Sequence, residues 1–133
     1  MKELIEEGID GDRTDLLIKA AVRAASYGHL HVLRWIVDDL GVDPFLRTAL
    51  SASFSGHLEI LQWIYTGDPG GFIENSNEIF EEASGHLHIL QWILTLPGIN
   101  ITNATKNKSF KLAAFDGHLD TLRWLLTQGA EAS

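Results

Sequence analysis

Apolar residues return along this chain at helical spacing. In one stretch they fall at Leu30, Leu33, Ile36 and Val37, with Trp35 among them, which is a helical stripe of about ten residues. A second apolar stretch precedes it, Leu16-Leu17-Ile18-Lys19-Ala20-Ala21-Val22-Arg23-Ala24-Ala25, and a late counterpart is Phe110-Lys111-Leu112-Ala113-Ala114. Ala-rich helices approach closely because nothing large stands between their backbones. A glycine separates the two stretches and suits the left-handed residue that ends a helix, where a Cβ would clash. The pattern therefore predicts helix, tight turn, helix as its unit.

That unit recurs. Gly28-His29-Leu30-His31-Val32-Leu33-Arg34-Trp35-Ile36, Gly56-His57-Leu58-Glu59-Ile60-Leu61-Gln62-Trp63-Ile64, Gly85-His86-Leu87-His88-Ile89-Leu90-Gln91-Trp92-Ile93 and Gly117-His118-Leu119-Asp120-Thr121-Leu122-Arg123-Trp124-Leu125 share the pattern G-H-L-x-x-L-x-W-[IL]. Their glycines lie 28, 29 and 32 residues apart, and all four tryptophans fall inside the motif. Periods of this length mean stacked supersecondary units rather than a closed globule. Each second helix runs into Gly followed by an acid or amide, as in Gly41-Val42-Asp43, Gly98-Ile99-Asn100 and Gly129-Ala130-Glu131, and Gly8-Ile9-Asp10 repeats the signal near the start. Pro44, Pro69 and Pro97 flank these stops, where a helix cannot continue.

The unit resembles the ankyrin repeat, whose helix pair carries A-A-x-x-G-H-L-E. Ala24-Ala25-Ser26-Tyr27-Gly28-His29-Leu30 and Ala113-Ala114-Phe115-Asp116-Gly117-His118-Leu119 match directly, and Ala52-Ser53-Phe54-Ser55-Gly56 matches with one change. In the third copy Glu81-Glu82 stand where two alanines are expected, unless one residue is deleted before Ala83. The Thr-Pro-Leu-His turn that opens the family's first helix is missing in every copy, Ser109-Phe110-Lys111 being its nearest remnant, and Trp replaces the usual Leu. The resemblance implies an all-α, ankyrin-like solenoid of four helix-turn-helix repeats with shortened finger loops. The whole chain, 1–133, is then one repeat domain: a partial repeat over 1–10, and repeats at about 11–41, 42–67, 68–98 and 99–133.

Composition narrows the function. The chain is 45% hydrophobic and 21% charged, which excludes a disordered chain. It has no cysteine, so a disulfide framework, a thiolate metal site and a cysteine nucleophile are all excluded. No apolar run has the length of a membrane span, and residues 1–7 lack the apolar core of a secretory leader, so the expected compartment is the cytoplasm, a host cytoplasm if the source is a virus or an intracellular bacterium. The net charge of −8 argues against nucleic acid. Between Arg47 and Lys106 there is no Lys or Arg, while Glu59, Asp68, Glu74, Glu78, Glu81 and Glu82 lie in that stretch. This is either a solvated acidic surface or a face that steers a basic partner.

No catalytic constellation stands out, and no enzyme activity, cofactor or metal is expected. The pairs His29/His31 and His86/His88 are two residues apart, a spacing that does not face two side chains together on a helix. The Gly-His histidines are read as parts of their turns. Asn100-Ile101-Thr102, Asn103-Ala104-Thr105 and Asn107-Lys108-Ser109 are three glycosylation sequons, read as one polar loop. The tryptophans are expected in the core between repeats, the other reading being an aromatic stripe for a partner.

The resemblance implies a protein-protein interaction module that binds through the concave face of the stack. The alternatives are an inhibitor that occludes a partner enzyme, as small ankyrin proteins do with cyclin-dependent kinases, and a subunit or fragment of a larger assembly. The family's variable contact positions map here onto Ser26, Tyr27, Phe54, Ser55, Ala83, Ser84, Phe115 and Asp116, with Arg13, Asp43, Phe45, Arg47, Asp68 and Phe72 in the loops. Tyr27, Phe54 and Phe115 would form an aromatic line, the residue type that dominates interfaces. The last helix carries Leu119, Leu122, Trp124, Leu125 and Leu126 with no polar helix after it. A weak two-fold homodimer through that end is therefore expected, while Leu4 and Ile5 among charged residues would cap the other end.

Overall fold

The computed structural model describes residues 11–130, and side chains from Arg13 onward. The expected partial repeat over 1–10, with its capping role, lies outside the described residues. Within them the fold is all-helical and contains no strand. Among the described residues no helix is long and apolar enough to cross a membrane.

Four helices form one row. They are α1 (Gly11–Ser26), α3 (Phe45–Ser55), α6 (Ser76–Glu82) and α8 (Asn103–Phe115), and each packs against the next in chain order. Small residues line the row: Ala21, Ala24 and Ala25 on α1, Ala49, Ala52 and Ser53 on α3, and Ser109 and Ala113 on α8 are buried. On the short α6, Ile79 and Phe80 fill the same layer.

Each of these helices turns back into a partner. The partners are α2 (Leu30–Arg34), α4 (Leu58–Gly67), α7 (Leu87–Leu94) and α9 (Leu119–Thr127). A π-helical turn, Trp35–Asp39, continues α2. The second helices bury Leu33 and Ile36; Ile60, Leu61 and Ile64; Ile89, Leu90 and Ile93; and Leu125. Each such side chain contributes roughly 1.5–3 kcal/mol on leaving water. The tryptophans do not share that layer. Trp35 is exposed, and Trp63, Trp92 and Trp124 are half-buried against its flank. Trp92 meets Tyr65 and Phe72 edge to face, with ring centroids 6.0 and 5.5 Å away.

The connections are irregular or helical. A short helix, α5 (Pro69–Glu74), fills the connection between α4 and α6. Asp68 caps it, its Oδ1 accepting the Gly71 N–H at 3.0 Å. Phe72, expected in a loop, is buried on this helix. α8 begins early because Thr102 caps it, its hydroxyl accepting the Thr105 N–H at 3.2 Å. Two of the three sequons, those beginning at Asn103 and Asn107, therefore lie in a helix and not in the expected polar loop.

Candidate interaction surface

The Gly-His pairs build the joints between units. Gly28, Gly56 and Gly117 have φ of +79°, +87° and +79°. In their turns the histidine N–H bonds a carbonyl five residues back: His29 to Ala24 at 2.8 Å, His57 to Ala52 at 2.9 Å and His118 to Ala113 at 2.9 Å. The imidazole then reaches into the preceding unit. His57 Nε2 donates to the Ser26 carbonyl at 3.0 Å, and His86 Nε2 donates to the Phe54 carbonyl at 2.9 Å. A carbonyl only accepts, so Nε2 of each ring carries a proton. Each ring also lies over the preceding glycine. A Cβ on Gly28 would stand 2.8 Å from His57 Cε1, one on Gly56 2.7 Å from His86 Cε1, and one on Gly85 2.9 Å from His118 Nε2. Gly28 and Gly56 are thus needed twice, for their backbone and for the ring that rests on them.

The third turn is built differently. His86 N–H bonds the Ala83 carbonyl, three residues back, at 2.8 Å, and Gly85 has no positive φ. Ala83 and Ser84 take the buried places that Ala52 and Ser53 hold in α3. The shortening is two residues, the counterparts of Phe54-Ser55, rather than the single deletion the sequence suggested. Ser84 is only 4% exposed, so it leaves the predicted row of contact positions, and Ala83 leaves with it.

The shortened turn opens a cleft of about 280 Å³. Phe54, Glu81, Glu82, His86, Asp116 and His118 line it. Glu81 is held by Lys108 at 3.2 Å and accepts a hydrogen bond from the Thr105 hydroxyl at 3.2 Å. Glu82 and Asp116 are exposed.

The other predicted positions fall into distinct places. Phe54 and Phe115 are 71% and 90% exposed at the ends of α3 and α8. Ser26 and Ser55 hydrogen-bond each other at 3.0 Å across the α1–α3 joint. Arg47 is exposed and Phe45 half-buried, both in the first turn of α3 rather than in a loop. Tyr27 is 71% exposed for a separate reason. It is the counterpart of Ser55, on the stripe that α3 turns toward the preceding helix. Its ring stacks on His29 at 6.5 Å.

His29 and His31 lie 5.9 Å apart edge to face, and His86 and His88 6.1 Å. The first of each pair precedes its helix, with φ −92° at His29 and −129° at His86, so helical spacing does not separate them as expected. Among the described residues no three His, Asp or Glu side chains converge as a metal site. On the opposite edge, Asp43 and Asp68 share a second cleft with Phe45 and Trp63. Partial burial, and then the like charge of Asp68, raise the Asp43 carboxyl above the ordinary 3.8. The chain matches no protein-family model, no curated protein and no solved structure.

Proposed function

We propose that this chain is an ankyrin-type repeat protein that binds another protein through the surface where its first helices end. The reading rests on the four in-phase Gly-His units and on one observation above all, the exposure of Phe54. α3 has α1 on one side and α6 on the other. Phe54 is nevertheless 71% exposed, on the wall of a cleft that also carries Glu82 and Asp116. A large ring kept in water in the middle of a row, beside carboxylates, suits a partner that presents an apolar anchor flanked by basic residues. The absence of Lys and Arg from residues 48–105 extends that acidic field.

The test is affinity capture from native host lysate with the full chain and with Phe54→Ala and Glu82→Lys variants. A specific partner retained by the native chain should lose at least about 2 kcal/mol of affinity to Phe54→Ala, the scale of an interface hot spot. Unchanged capture by both variants overturns this placement of the surface.

A further inference from the structure

The joint between the second and third units shows what packs against the repeated tryptophan. Trp92 meets Tyr65, near the end of the preceding unit, and Phe72 of α5, with ring centroids 6.0 and 5.5 Å away. Trp63 holds the same motif place one unit earlier, but its surroundings differ. Val37 stands in the place of Tyr65. The connection from Leu40 to Pro44 contains no helix like α5 and no aromatic residue. A cleft of about 310 Å³ lies beside Trp63 instead, the size of a small-molecule site.

Its lining joins apolar and acidic groups. Val37, Phe45 and Trp63 supply apolar surface, and Asp38, Asp43 and Asp68 supply charge. Asp38 is carried by the π-helical turn that ends the first unit, while Asp43 and Asp68 come from the two connections. No Lys, Arg or His lines the cleft. Among the described residues the Asp38 and Asp43 carboxylates take part in no hydrogen bond or ion pair. One oxygen of Asp68 is occupied by the Gly71 N–H. Partial burial and the like charge of Asp68 hold the Asp43 carboxyl above its ordinary value, a condition that a bound cation relieves. The three carboxylates do not converge where a single metal ion could sit. The fitting occupant therefore spreads its positive charge over a length and offers apolar surface between its charges.

We infer that the cleft beside Trp63 binds a short aliphatic diamine. The methylene chain takes the place against Trp63 that protein rings take against Trp92, with Val37 and Phe45 as its other walls. One ammonium group donates to Asp43 and to the free oxygen of Asp68, and the other donates to Asp38. Such charge-assisted bonds are the stronger class of hydrogen bond, and aromatic faces, Trp above all, add their own attraction for a cation. The site lies in the joint between the first and second units, on the edge opposite Phe54. It goes beyond the proposed protein-binding surface and does not depend on it.

Calorimetric titration of the full chain with 1,4-diaminobutane tests it. The diamine should bind one to one with a dissociation constant below about 1 mM, the weak end of specific association. Asp43→Asn should raise that constant at least about tenfold by removing one charge from the contact. Glu78→Gln removes the same charge from an exposed position on α6 and should leave the constant unchanged. Val37→Tyr restores the ring found in the next joint, so it should fill the cleft and weaken binding at least about tenfold. Circular dichroism should show native helix content in all three variants. Butylamine, which has one ammonium group like a lysine side chain, should bind at least about tenfold more weakly than the diamine. Magnesium chloride should not compete. The assignment is overturned by a native chain with no saturable binding, or by equal weakening in Asp43→Asn and Glu78→Gln, which would reduce the attraction to net charge. Butylamine or magnesium bound as tightly as the diamine, or a Val37→Tyr variant that binds like the native chain, overturns it as well.

Discussion

The imidazole of His86 occupies the space that a side chain on Gly56 would need, with Cε1 only 2.7 Å from the place of a Cβ. The two residues belong to successive units. A short motif that reads as a local turn is therefore half of a joint whose other half lies about thirty residues away, on the next copy.

Replacing Gly56 by Ala should cost more than replacing Gly41 by Ala. Both glycines have positive φ, +87° and +72°, but nothing lies within 4 Å of a Cβ on Gly41. Gly41→Ala should therefore lose only the left-handed backbone penalty, about 1–2 kcal/mol. Gly56→Ala adds the displacement of a ring and of its hydrogen bond, about another 1 kcal/mol or more. Urea unfolding of the two variants measures the difference, and equal losses would remove the histidine from the joint.

His57→Ala should destabilise by about 1 kcal/mol, the usual net value of one hydrogen bond, with further loss of ring packing. His118→Ala should cost less. Its ring faces the shortened third turn, which lacks the counterparts of the Ser26 and Phe54 carbonyls that serve His57 and His86. Thermal midpoints of the two variants at matched pH decide the order.

Asp43 should make the fold more sensitive to pH in one direction. Its carboxyl is raised above 3.8 in the folded protein, by partial burial and then by Asp68. Below the unfolded value the group is protonated in both states and its contribution to stability is fully present. That contribution is lost as the pH rises through the raised folded value, where a poorly solvated charge must form. Asp43→Asn should therefore raise the melting temperature at pH 7, and the gain should vanish below about pH 3. A gain that persists in acid would assign it to packing instead.

Ser109→Ala should stabilise. The Ser109 hydroxyl is fully buried on α8 and has no hydrogen-bond partner. Leaving such a group unpaired costs about 1–3 kcal/mol, and alanine is also the better helix former. An increase of about 1 kcal/mol in unfolding free energy is the expected size. A loss of stability would mean that the oxygen contributes a contact worth keeping.

Association with a captured partner should slow as salt rises, if the carboxylates around the Phe54 cleft steer it. Screening lengths fall to about 10 Å at 0.1 M salt, so the on-rate should drop between low and moderate ionic strength. A rate flat in salt would leave the acidic stretch with no part in encounter.

Much of the helical architecture was legible because its causes are local. Apolar spacing, the glycine between two stripes and the glycine stops depend on neighbours a few residues away, and they mark the helix pairs directly. Two of the sequons lie in a helix where their polarity predicts a loop, because the deciding contact is a cap, Thr102 on the Thr105 N–H, which changes where the helix starts without changing its composition. Glu81-Glu82 looked like substitutions in a helix of ordinary length. The hydrogen bond from His86 to Ala83 shows instead that the helix ends early, and it is this early end that opens the cleft.

The sequence by itself determined the unit, its number of copies and the helix class, since repetition and periodicity are properties of the chain alone. Only the tertiary structure decided what each repeated residue does. Ser53, Ser84 and Ala114 hold the same place in their units, yet the first two are buried and the last is exposed, because another unit follows them and none of the described residues follows Ala114. Tyr27 and Phe54 are equally exposed, one on the first helix of the row and the other in its middle. Burial depends on what lies beside a residue in space, and in a stack of near-identical units that neighbour is set by position in the row and not by the local sequence.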